Sequence, residues 1–138
     1  MKVKVLLVMP GKEIQTVRIP ASIKFIKAFV GRELYKIKLN SNTVLIANKN
    51  ANIDEFNRFL YGNIILGTFL IISIKNNRII SLKNKDIRKY TNVFKLRKHQ
   101  KKIDIYKNEY LEEYYSKQRE RKQENAKRNR EQIFKKVA

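Results

Sequence analysis

The run IILGTFLIISI at residues 64–74 constrains this chain more than any other stretch, because it is the longest nearly unbroken apolar segment and carries no charge. About eleven residues rich in isoleucine fit a strand buried on both faces better than a helix. Such a strand needs cover on each side, so it should be the central strand of a sheet. Gly67 inside it reads as a bulge or a point of tight packing.

The flanking chain supplies further strands and helices. Alternating or clustered apolar residues predict strands at residues 2–9 and 15–19, joined through the Pro10-Gly11 turn. Pro20, Ala21 and Ser22 open a helix over residues 23–30, with Ile23, Ile26, Phe29 and Val30 on one face and Gly31 as a left-handed stop. Residues 35–39 and 43–48 read as a hairpin turned by Asn40, Ser41 and Asn42. Asp54 reads as the cap of a short helical segment through Phe56, Phe59, Leu60 and Tyr61, stopped by Gly62. After the central strand, Asn76 and Asn77 tolerate positive φ and turn the chain into a strand at residues 78–82. Asn84 then caps a helix carrying Ile87, Tyr90, Thr91 and Phe94 at helical spacing.

From Lys95 the composition changes. Residues 95–138 hold 15 Lys and Arg against 7 acids, with no Pro and no Gly, which favours helix without favouring a core. Ile103, Tyr106, Tyr110, Leu111 and Tyr114 form an apolar stripe that stops after Tyr115. Beyond it, only pairs at i and i+4 such as Glu113 with Lys117, Glu124 with Arg128 and Glu131 with Lys135 support the helix. The expected class is α+β: a small mixed or antiparallel sheet with helices on one face over residues 1–94, and a long basic helical extension over residues 95–138.

Among 138 residues, 32 Lys and Arg face 12 Asp and Glu, a formal net charge of +20. Such a field attracts polyanions. Part of it is compositional: 22 Lys, 14 Asn and 18 Ile are the bias of an AT-rich genome. That bias explains lysine over arginine but not the scarcity of acids. Cysteine is absent and His99 is the one histidine, so disulfides, thiolate chemistry and Cys/His metal sites are excluded, and no cofactor is expected. No apolar run reaches the roughly 20 residues of a membrane span, and the opening residues are too short for a signal core, so a cytoplasmic protein is expected.

The order VLLVMPGKE at residues 5–13, AFVG at 28–31, VLIANKNA at 44–51, NRFLYG at 57–62, ILGTFLI at 65–71 and ISL at 80–82, followed by Tyr90 and Phe94, resembles domain-of-unknown-function family 3846. The resemblance implies a small α+β domain of bacteria, their phages and mobile elements, with no catalytic residues to carry over. It leaves the basic extension uncovered.

Functional candidates therefore come from charge. Lys95, Arg97, Lys98, Lys101 and Lys102, then Lys117, Arg119, Arg121, Lys122, Lys127, Arg128 and Arg130, display cations along one element, as phosphate binding requires. The bland alternative is a solvated helix. Tyr106, Tyr110 and Tyr114 recur every four residues; the pattern fits docking of a helix face on a core, or stacking of unpaired bases. His99 reads as a surface or hinge residue. Asp54 with Glu55, and Glu112 with Glu113, are adjacent and point apart, so no acid-base pair is expected and the protein is read as no enzyme. On the domain, Lys2, Lys4, Lys36 and Lys38 add to the field. The expected function is a non-enzymatic basic binding protein of a phage or mobile element that engages nucleic acid or an RNA-protein complex. The rival expectation is an anti-defence, anti-CRISPR-like inhibitor that binds a host effector and blocks its guide or target strand. A third expectation, self-association through the tail, is opposed by the lack of apolar heptads past Tyr115.

Overall fold

The computed structural model describes residues 1–137, and their side chains as far as Glu124. Eight strands and three helices follow in order: β1 Lys2–Val8, β2 Gln15–Pro20, α1 Ile23–Val30, β3 Leu34–Lys38, β4 Thr43–Asn48, β5 Phe56–Leu60, β6 Asn63–Leu66, β7 Phe69–Lys75, β8 Arg78–Ile80, α2 Asn84–Val93 and α3 Leu96–Val137. The fold is α+β. All strand pairs are antiparallel: the main sheet runs β2-β1-β7-β4-β3 with β8 beside the end of β7, and β5 and β6 form a separate hairpin.

The central strand is shorter than the apolar run that announces it. β7 is buried on both faces, with Phe69, Leu70, Ile71 and Ile72 all fully enclosed. The first part of the run, however, is β6, and the chain breaks at Gly67, whose φ is +75°. A side chain there would be strained by that φ and would also meet Ala51 Cβ at 2.9 Å.

Helices cover both faces of the sheet rather than the one expected. α1 puts Ile26 and Val30 against Val3, Val5, Leu7, Leu70 and Ile72, while Tyr90 and Phe94 pack with Leu6, Val8, Leu45, Phe69 and Ile71 on the other side. The two faces follow from strand alternation: odd and even residues of β7 point opposite ways, and both sets are apolar. Ile23 and Phe29, expected on the buried face of α1, are exposed. The Ser22 hydroxyl accepts from Lys24 N–H and caps α1 as its sequence suggests. Gly31 ends it in an extended positive-φ conformation, φ 142° and ψ 170°, rather than the left-handed one, with the Asn48 amide 2.6 Å from where a Cβ would lie.

The helical segment expected from Asp54 to Tyr61 is instead β5. Tyr61 and Gly62 have φ of 51° and 79°, so they form the two-residue turn into β6, as Asn76 and Asn77 at 53° and 60° do between β7 and β8. α2 starts at Asn84 but its cap position is Lys83, which makes no side-chain capping bond. Residues group into two compact units, Met1–Ile103 and the chain from Asp104 onward. The first therefore includes the opening turns of α3, whereas the sequence reading ended the domain at residue 94.

Candidate functional site

The joint between α2 and α3 is fixed by a buried cation. Arg58 and Asn57 are both wholly enclosed in β5, side by side, where a register shift between Phe56 and Arg58 interrupts the ladder. Arg58 Nε donates to the Phe94 carbonyl at 2.8 Å, Nη1 to Asn57 Oδ1 at 3.0 Å, and Nη2 to the Lys12 carbonyl. Asn57 Nδ2 donates to the carbonyls of Val8 at 2.9 Å and Gly67 at 2.7 Å. One guanidinium thus ties the β1–β2 turn to the C-terminus of α2. Burial lowers its pKa and the charge of Glu13 opposes that shift, but a guanidinium stays charged at any ordinary pH.

His99 completes the joint. It is 8% exposed, not a surface residue. Phe59 N–H donates to Nδ1 at 3.2 Å, so Nδ1 must be the acceptor and Nε2 carries the proton given to the Val93 carbonyl at 2.8 Å. Burial pushes the imidazole below its usual range; the bond to Val93 opposes this, and Arg58, Lys102 and Lys98 reinforce it. The neutral ring therefore holds α3 to β5, and it stacks on Phe94 with centroids 6.0 Å apart.

This joint displays cations. Lys95 is half-buried, and Arg97, Lys98, Lys101 and Lys102 are exposed on the first turns of α3, within the compact unit. Lys98 Nζ also donates to Asn92 Oδ1 at 2.9 Å. α2 adds Arg88 and Lys89, with Lys83 and Lys85 at its start, so residues 83–102 carry nine basic side chains against the single acid Asp86. Tail composition does not single out Lys83, Lys85, Arg88 and Lys89, because a boundary at residue 94 falls between them and Lys95. Charge counted across that boundary would have found them.

The remaining candidates lie in the second unit. Lys117, Arg119, Arg121 and Lys122 are exposed, and Lys117 pairs with Glu113 at 3.2 Å as the i to i+4 spacing predicted. Lys127, Arg128 and Arg130, with the expected pairs Glu124–Arg128 and Glu131–Lys135, fall outside the described side chains. Tyr106 and Tyr110 stack face to face at 5.3 Å and 10°, so one face of each ring is already occupied, and Tyr114 meets Tyr115 edge-on. Of the apolar stripe only Ile103 is buried. Lys2, Lys36 and Lys38 are exposed and Lys4 is half-buried. Among the described residues no group of three or more acidic or histidine side chains could hold a metal, and no helix is long and apolar enough to cross a membrane.

The distribution of charge differs from the impression of a basic tail. Met1–Ile103 holds 22 Lys and Arg against 5 Asp and Glu, a net +17, while the chain from Asp104 onward holds 10 against 7, a net +3. The structured domain, not the extension, carries the field.

No curated protein and no solved structure matches the chain. A family model described as "Domain of unknown function (DUF3846)" matches residues 1–95, which takes in every strand and α2 and stops one residue before α3. With more than two thirds of its length inside that match, the chain belongs to the DUF3846 family.

Proposed function

We propose that this protein is a non-enzymatic binding protein that engages nucleic acid, free or within an RNA-protein complex, through charge held by its compact unit. The observation that carries this reading is the net +17 of Met1–Ile103, with nine cations against one acid in residues 83–102. Lysines and arginines at fixed spacing replace condensed counterions on a phosphate backbone, and the released ions drive binding. Arg58 and His99 contribute by holding the α2–α3 joint, so little order is lost on association. The cations of α3 beyond Ile103 add contacts, and Tyr106, Tyr110 and Tyr114 offer weak stacking to unpaired bases.

The test is fluorescence anisotropy with labelled RNA and DNA strands at about 50 mM salt and upward. Affinity should fall linearly on a log-log scale, with a slope near −0.7 per phosphate contacted on a single strand. Undetectable binding at the lowest salt overturns the reading. A pull-down treated with nuclease separates it from the effector-inhibitor reading: a protein retained after digestion supports the inhibitor, and loss of all captured material supports direct nucleic-acid binding.

A further inference from the structure

We infer that a cleft between the start of α2 and the β3–β4 turn is a phosphate site that seats one phosphodiester of a nucleic-acid strand, an assignment that rests on the function proposed above. The cleft has a volume of about 520 Å³ and is lined by Lys75, Lys83, Lys85 and Lys89, with Asp86 as the one opposing charge. None of these four lysines is in an ion pair among the described residues. Within the compact unit, none of Lys95, Arg97, Lys98, Lys101 and Lys102 lines it.

The walls are organised before any ligand arrives. Asn40 Oδ1 accepts from the backbone N–H groups of Asn42 at 3.1 Å and Thr43 at 2.9 Å, which fixes the β3–β4 turn. Its Nδ2 donates to the Tyr90 hydroxyl at 3.0 Å, which joins that turn to α2. Lys89 Nζ lies 5.4 Å from the Tyr90 ring centre, so the same ring steadies an ammonium group. α2 is ten residues long with no side-chain cap, which leaves the N–H groups of Asn84 and Lys85 open at its positive end.

A buried, unsatisfied hydroxyl lies behind the cleft, on a residue that does not itself line it. Thr43 is wholly enclosed and its Oγ1 has no partner. It stands next to Asn42 and opposite Ser73 in register, both of which line the cleft. Strand alternation puts Thr43 and Ser73 on the face that Leu45, Ala47, Phe69 and Ile71 share with Tyr90. Polar groups left over in a buried position deserve a partner.

The lining also selects the kind of ligand. It contains no aromatic side chain, and Ile80 is its one large apolar residue, so nothing there reads a base. Ammonium groups and amides read anionic oxygens instead. A backbone phosphodiester offers those oxygens without asking for a base pocket.

The full-length Lys83→Ala/Lys85→Ala variant is compared with wild type and with Lys24→Ala/Lys27→Ala, which removes equal charge from α1 on the opposite face. With a fluorescein-labelled 15-nucleotide strand at about 50 mM salt, the cleft variant should bind about tenfold more weakly and its salt slope should be shallower by about 1.4. The α1 variant should stay within about twofold of wild type, and Asp86→Asn should bind about twofold more tightly. In amide NMR spectra of the full chain, inorganic phosphate should shift Asn42, Asn84 and Lys85 in the wild type and not in the cleft variant.

Equal losses in the cleft and α1 variants overturn the cleft while leaving nucleic-acid binding intact. Phosphate shifts at the cleft with no strand binding overturn the phosphodiester assignment and the proposed function together. Shifts spread evenly over surface lysines overturn the site.

Discussion

The compact unit and the extension differ less in cations than in acids. From Asp104 onward, 10 of 35 residues are Lys or Arg, a higher fraction than the 22 of 103 in Met1–Ile103. Yet the extension spreads seven acids among its cations and nearly cancels them, as the Glu113–Lys117 pair shows at a single turn. The compact unit has only five acids, and just one of them, Asp86, stands among the lysines around α2. An anion responds to the summed field, so a run of basic letters says less than the absence of acidic ones. Order sharpens the contrast: the cations near α2 stand on a joint fixed by buried polar bonds, while Lys117, Arg119, Arg121 and Lys122 of the extension are exposed.

The largest effect expected from breaking this contrast is at Arg58. Arg58→Ala leaves the buried Phe94 carbonyl and the part-buried Lys12 carbonyl without their donor, and should cost about 3 to 5 kcal/mol in urea unfolding. Arg58→Lys should recover little, because an ammonium cannot span the same acceptors. A loss under 1 kcal/mol for Arg58→Ala would show that the joint is held by packing alone.

Next come the two cation clusters. Lys98→Ala/Lys101→Ala/Lys102→Ala should weaken strand binding about thirtyfold at low salt, while Lys117→Ala/Arg119→Ala/Arg121→Ala should weaken it only about threefold. Anisotropy titrations measure both, and the reverse order would return the principal interface to the extension.

Gly67→Ala should destabilise by about 1 to 2 kcal/mol, since φ is +75° and Ala51 is close. Unfolding curves monitored by circular dichroism would show it as a lower midpoint.

The pH dependence is set by His99. Its folded pKa is depressed, so the unfolded chain binds the proton more readily, and the stabilisation is fully present above about pH 6.5 and lost as pH falls through the folded value. Protonation at Nδ1 would also set two donors, Phe59 N–H and the ring, against each other. Urea midpoints from pH 8 to 5 should fall on the acid side, and His99→Gln should flatten that fall.

The smallest effect belongs to the extension: Glu113→Gln should change stability by about 0.5 kcal/mol or less, since both partners of its ion pair are largely solvated.

Much of this fold was legible in the residues. α1 and β4 begin and end where Ser22 and Asn48 suggest, and the Asn76-Asn77 turn needs only two asparagines at positive φ. The misreadings have definite causes. Residues 64–74 carry no charge to mark a break, and a lone glycine reads as a bulge or a point of tight packing within one strand, so β6 and β7 merge. Phe56, Phe59 and Leu60 fit a helical stripe, and Asn57 and Arg58 look like its solvent side. They are buried because distant carbonyls, at Val8, Lys12, Gly67 and Phe94, accept from them, and local sequence carries no trace of those partners. His99, between Lys98 and Gln100, is hidden for the same reason. The cleft beside α2 was not legible either, since Lys75 belongs to β7, Lys83 and Lys85 to the start of α2 and Lys89 to its middle, and they meet only after folding.

The most direct test is to remove the extension. Among the described residues, every one of the buried core lies within Met1–Ile103, so a chain ending at Ile103 should fold, as circular dichroism can verify. Its affinity for a labelled RNA strand, measured by anisotropy across a salt series beside the full chain, should stay within about fivefold of the full protein and keep most of the salt slope. A folded truncation that binds no better than background would contradict the claim that the compact unit carries the nucleic-acid interface.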